Sequence, residues 1–210
     1  AIPLEIFALS GKRAVITGGG GVLCSAMAQA LAQAGVQVAL LDLRLEPEDA
    51  LARELAAFQP HIVGATSMTT DVYQALAVLR MARQIVPSAL TIVGGHAPTL
   101  APQEFDQPWV DVIVQGEGEL TFRELVAAWE EQRQGDDRQF PGIAGLRYRE
   151  LAGEPMRSNS KRSQTKNLDE LPAPDRSLLR KYKGRYFFTV ARNMASIFTS
   201  RGCSFDCNFS

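Results

Sequence analysis

The sequence predicts an α/β fold in three layers: a doubly wound parallel sheet with helices on both faces, followed by a C-terminal extension. Between residues 13 and 125, short aliphatic runs alternate with helix-length amphipathic stretches, the order that parallel strands joined by crossover helices leave in a chain. The strand-like runs are apolar throughout instead of alternating, as strands covered on both faces are. After Gln132 the alternation stops and polar, basic stretches take over.

The first strand is read at residues 13–17 and runs into the cluster Gly18, Gly19, Gly20, Gly21, after which a helix over 23–34 begins. The next strand, 37–41, is followed by a helix over 47–58, and the third, 62–65, by a helix over 73–86. In that helix Ala75, Leu76, Leu79, Ala82 and Ile85 recur at helical spacing and form one core-facing stripe. A fourth strand at 90–93, a short helical piece at 102–105, a fifth strand at 110–114 and a helix over 120–132 complete the alternation. Residues 134–137 then read as a polar turn, 142–149 as a short strand or hairpin, 153–167 as a linker or mobile loop, and 168–174 as an extended strap.

A chain of 210 residues can bury one substantial core. Its formal net charge of -1 gives no broad attraction to nucleic acid or to an anionic membrane, so neither is expected as a partner. No apolar run approaches the roughly 20 residues that span a bilayer, and the start lacks the pattern of a signal peptide, which places the chain in the cytoplasm. Of the three cysteines, Cys203 and Cys207 crowd the C-terminal end and Cys24 stands far away, a poor disulfide framework and a better metal signature.

The glycine cluster lies between a strand and a helix, where backbone N–H groups can cradle a phosphate. With Thr17, Gly18 and Gly21 in the pattern Thr-Gly-x-x-Gly, the stretch from residue 9 to 42 resembles the first βαβ unit of short-chain dehydrogenase/reductases. Cys24 stands where that family's last glycine allows helix and strand to pack closely. Asp42 occupies the place of the acid that binds an adenosine ribose, so NAD(P) stays open as a ligand. The family's Tyr-x-x-x-Lys pair is absent: no lysine follows four residues after Tyr73, Tyr148, Tyr182 or Tyr186.

A longer stretch, from about 41 to 209, resembles the N-terminal half of cobalamin-binding radical S-adenosylmethionine (SAM) proteins, the group that includes anaerobic ring cyclases and carbon methylases. Six pieces carry the resemblance in order: 42–47, 63–69, Val93-Gly94-Gly95-His96-Ala97, Gln115-Gly116-Glu117-Gly118-Glu119, 168–172 and Thr199-Ser200-Arg201-Gly202-Cys203. The fold so implied is Rossmann-like, of the flavodoxin-like kind, and the ligand a corrinoid. Ser67, Met68 and Thr69, Gly94 and Gly95, and Gly116 and Glu117 fall in loops beyond strand carboxyl ends, where open parallel sheets bind ligands. Ser67 and Thr69 offer hydroxyls. Gly94 and Gly95 leave a flat floor that larger side chains would invade without entering the core.

His96 tempts as an axial cobalt ligand. The Asp-x-His-x-x-Gly motif of histidine-ligated cobalamin proteins is absent, however, and His96 is read as a nearby contact or a simple loop residue; His61 is read as a strand-boundary residue. Glu117 and Glu119 are read as part of the rim and not as a catalytic pair, since nothing beside them supplies a nucleophile and base.

Cys203 and Cys207 match the first two positions of the Cys-x-x-x-Cys-x-x-Cys loop that holds a 4Fe–4S cluster in radical SAM enzymes, with Ser210 at the third. Three thiolates leave one iron open for SAM; two and a serine fall short. The chain is therefore expected to lack catalytic residues of its own and to be inactive alone, a hybrid or truncated piece against which a radical SAM core would pack. The expected division is a ligand-binding domain at 1–135, dehydrogenase-like to residue 44, a hairpin, linker and strap at 136–196, and the start of the radical SAM core at 197–210. The two resemblances part at the third strand: beside the second it gives the order 3-2-1-4-5, beside the first 2-1-3-4-5. The cobalamin-like pieces begin there, so 2-1-3-4-5 is expected.

Overall fold

The computed structural model describes residues 11–17, 31–32, 35–41, 49–132, 139–151, 153–171, 180, 182, 184, 187–188, 191–192 and 201. Its main sheet is built from β1 (Arg13–Thr17), β2 (Gln37–Leu41), β3 (Ile62–Thr66), β4 (Leu90–Gly94), β5 (Val112–Val114), β6 (Leu146–Tyr148) and β7 (Arg157–Ser158). They lie in the order β2-β1-β3-β4-β5-β6-β7. The first five run parallel, with β3 beside β1 through Ala14 opposite Ile62 and Val15 opposite Val63, while β2 pairs on the other edge of β1. This is the doubly wound 2-1-3-4-5 order. β6 joins β5 antiparallel, with Val112 opposite Tyr148, and β7 joins β6. A separate two-stranded hairpin pairs β8 (Phe187–Phe188) with β9 (Ala191–Arg192).

Because successive side chains of a strand point to opposite faces, strands buried on both sides feed two cores. On one face Val15, Val63, Ala65, Val93 and Ile113 meet Leu51 and Leu55 of α1 (Ala50–Phe58) and Val72, Ala75, Val78, Leu79 and Ala82 of α2 (Val72–Ile85). On the other face Ala14, Ile16, Ile62, Ile92 and Val112 meet Leu31, together with Phe122, Leu125 and Val126 of a later helix, Gly118–Gln132. The α2 stripe faces the core as its spacing predicts: Ala75, Leu79 and Ala82 are buried, and Leu76 and Ile85 pack against them partly covered. Of the helix expected over 23–34, Leu31 and Ala32 are helical and the rest lies outside the described residues.

Two expectations need correction. A short helix, α3 (His96–Leu100), precedes the 3-10 turn Pro102–Phe105; five residues containing Pro98 are too short to show a helical period. With α3 counted, the helix Gly118–Gln132 is α4. The polar run 153–167 is no free linker: it contributes β7, and Asn159 Nδ2 donates to the carbonyls of Phe140 (2.7 Å) and Ile143 (2.9 Å). Arg162 bonds Thr121 Oγ1 at 2.6 Å and pairs with Glu124. Polar side chains bind this segment by satisfying carbonyls at the sheet edge, and hydrophobic periodicity cannot register that kind of anchoring. Among the described residues, no helix is long and apolar enough to cross a membrane.

Candidate functional site

Since β1 and β3 to β5 run parallel, the loops that follow them open on one edge of the sheet. Hydrogen bonds running across the strands join three of these loops. The Ser67 N–H donates to Gly94 O at 2.9 Å, and the Ala97 N–H donates to Ser67 O at 3.0 Å, closing the loops after β3 and β4 on each other. Thr99 extends the connection: its hydroxyl donates to Gly95 O at 2.8 Å and accepts from the Gly116 N–H, after β5, at 2.9 Å. Thr99 was not legible as a rim residue, because one hydroxyl bridging two loops leaves no pattern in sequence.

The loops thus bring Ser67, Gly94, Gly95 and Gly116 together, with Met68, Thr69 and His96 exposed on the same edge. Ser67 itself is fully buried and its Oγ donates to Met68 O at 3.0 Å, so its hydroxyl is occupied within the loop. Gly95 adopts φ 110°, and a Cβ there would lie 2.8 Å from Ser67 O and 2.8 Å from Thr66 Oγ1. The expectation that bulk at Gly95 would intrude on a ligand without disturbing the protein is therefore corrected: the first collision is with the backbone of the neighbouring loop. Gly18, Gly19, Gly20, Gly21 and Asp42 lie outside the described residues.

At the β5 end of the rim, Glu117 Oε2 accepts the Thr165 N–H at 2.7 Å. Arg201 approaches both acids of the turn, with Nη2 2.5 Å from Glu119 Oε1 and Nη1 3.7 Å from Glu117 Oε1. Burial works to raise the Glu117 pKa, but the Thr165 hydrogen bonds and the Arg201 charge outweigh it and hold the carboxyl below its ordinary value. Hydrogen bonding to Glu119 in turn raises the pKa of Arg201. Both carboxylates are thus engaged by the chain. His61 sits at the opposite end of β3, where Nδ1 accepts the Arg13 N–H at 3.0 Å.

A corrinoid is flat, broad and edged with amides. The rim carries the side-chain-free surface of Gly116, the exposed Thr69 and the thioether of Met68, which is 53% exposed, and that set fits such a ring. Among the described residues, no group of three His, Cys, Asp or Glu could hold a metal ion. Cys203, Cys207 and Ser210 lie outside the described residues.

Residues 15–126, more than half of the chain, match the family model described as B12 binding domain. An uncharacterized methyltransferase of Pyrococcus horikoshii is 36% identical over 163 residues, covering 76% of this chain and 33% of that protein. The solved structure of the cobalamin-dependent S-adenosylmethionine radical enzyme OxsB, with aqua-cobalamin and S-adenosylmethionine bound, superposes with a TM-score of 0.64 at 19% identity. That match covers 84% of this chain and 26% of OxsB, and it shows a shared fold. An uncharacterized oxidoreductase of Bacillus subtilis, UxuB, is 55% identical over a stretch of 49 residues, 23% of this chain and 18% of that protein. The chain thus spans about a third of the methyltransferase and about a quarter of OxsB.

Proposed function

The chain belongs to the B12-binding domain family, and on that premise we propose that it binds a cobalamin across the carboxyl ends of β1, β3, β4 and β5. The observation that carries this reading is the stitched rim: Ser67, Ala97, Thr99 and Gly116 hold three loops as one surface, over which a flat ligand can lie. Met68, Thr69, Gly94, Gly95, His96, Gly116 and Glu117 are the contacts we assign, with Gly18 to Gly21 completing the floor at β1. Ser67 shapes its loop from within, its hydroxyl on Met68 O and its N–H and C=O on Gly94 and Ala97. The test is a titration with hydroxocobalamin followed by visible absorption. Saturable, stoichiometric spectral change supports the reading; its absence at high micromolar ligand rejects it.

In a longer protein, the domain would present the corrinoid to a radical SAM core packed on this rim. The OxsB likeness and the partial coverage of the methyltransferase support that context. Any methyl transfer or ring closure belongs to the whole protein, whose 4Fe–4S cluster and SAM would be held by the core. The division at residues 135 and 196 and a cytoplasmic location belong to the same proposal.

The UxuB stretch favours a second reading, because 49 residues are enough to hold one βαβ unit of roughly 30 or more. Under it, Gly18 to Gly21 and Asp42 would hold the phosphates and ribose of NAD(P), and the chain would be a hybrid of two parents. Calorimetry with NAD separates the two ligands.

A further inference from the structure

Arg201 reaches the Gly116 to Glu119 turn from 82 residues along the chain. The Arg53–Asp49 pair on α1 has side chains 66% and 67% exposed, the kind of ion pair that adds little. The Arg201 and Glu119 side chains are only 28% and 14% exposed, and Glu117 beside them 18%. Two carboxylates in one turn, both largely withdrawn from water, repel each other and lose hydration unless donors meet them. Thr165 supplies one donor and Arg201 the cation. The same turn is joined to the rim by the Gly116 N–H on Thr99.

We infer that Glu117 and Glu119 form a socket for Arg201, and that this socket anchors the chain two residues before Cys203 to the edge of the sheet that carries the ligand loops. Arg201 acts in this joint as a positioning residue for the chain that carries it. Only the purpose of the joint rests on the corrinoid reading; the anchoring stands or falls by itself.

Amide hydrogen exchange on the 210-residue chain tests it, read on peptides covering residues 199–205, with β3 and β4 peptides reporting global stability. Arg201→Gln and Glu119→Gln should each speed exchange in 199–205 at least ~10-fold while β3 and β4 stay protected. Arg201→Lys, which keeps the charge and loses the fork, should fall between wild type and Arg201→Gln. Raising salt to about 1 M should move the wild type toward the variants and leave Arg201→Gln unchanged. Equal exchange in wild type and both glutamine variants would overturn the socket, as would Arg201→Lys exchanging no more slowly than Arg201→Gln. Should Arg201→Gln fail to fold, Glu119→Gln and the salt series decide alone. The hydroxocobalamin titration is a separate readout, so failure of either reading is distinguishable.

Discussion

Gly95 faces Ser67 so closely that a β-carbon on Gly95 would stand 2.8 Å from the Ser67 carbonyl oxygen, the same oxygen that accepts the Ala97 N–H. Turning the Thr66 hydroxyl, also 2.8 Å away, would not remove the clash with the Ser67 backbone oxygen. The positive φ of Gly95, 110°, adds a conformational cost for any residue with a β-carbon.

Gly95→Ala is therefore expected to lower the unfolding free energy by about 2–4 kcal/mol, the range of a clash combined with backbone strain. Gly116 provides the contrast: its φ is 74°, but a Cβ there meets nothing within 4 Å, so Gly116→Ala should cost only about 1 kcal/mol. Urea midpoints of the two variants measure the difference. Equal midpoints would mean that the loops after β3 and β4 are not in contact as described.

Asp111 holds the amino ends of β4 and β5 together. Its Oδ2 accepts from the Thr91 N–H at 2.9 Å, from Thr91 Oγ1 at 3.0 Å and from Arg83 Nη2 at 2.6 Å. Asp111→Ala removes the acceptor of the buried Thr91 N–H and one partner of Arg83, which keeps Pro87 O and Thr91 Oγ1, so a loss of about 1–3 kcal/mol is expected. Because this cluster lies at the opposite end of the strands from the rim, hydroxocobalamin affinity should change less than about threefold, under 1 kcal/mol. A large affinity loss in a folded Asp111→Ala protein would contradict the location of the site.

What the sequence makes legible here follows burial. The order 2-1-3-4-5 could be read because Ile62 to Ala65 and the loop after them carry a recognisable pattern, and the buried stripe of α2 because apolar spacing survives in sequence. α3, β7 and the packing of 153–167 could not be read, because Thr99, Asn159 and Arg162 act through a few polar hydrogen bonds that leave no periodic pattern in the chain. The rim divides along the same line. Its glycines and Ser67 stand out as motif residues, but the bridging Thr99 and the Thr165 amide do not. The motif also does not reveal that Gly95 answers to Ser67 before any ligand.

Glu117 should leave a signature on the acid side of the stability curve. Its carboxyl titrates below the ordinary value of 4.5, so the ionised form favours the folded state. That contribution is complete above pH 4.5 and is lost as pH falls through the lower folded value. Glu117→Gln, which cannot ionise, should be less stable than wild type at neutral pH, and the gap should narrow on acidification below 4.5. Unfolding midpoints at neutral pH and at about pH 3 test the sign. A gap that widens in acid would mean that the Thr165 and Arg201 partners are not there.

His96 begins α3 directly after Gly95 and is exposed at the edge of the sheet that carries the rim loops. Its loop follows β4, and no carboxylate is bonded to its ring among the described residues, whereas ligating histidines are held by such partners. His96→Ala should therefore bind hydroxocobalamin with affinity within about threefold of wild type. The visible bands of the bound corrinoid should also be unchanged, since replacing an axial nitrogen shifts them. A spectrum that differs between wild type and His96→Ala, with binding retained in both, would assign the ring to cobalt and move the corrinoid's centre over the start of α3.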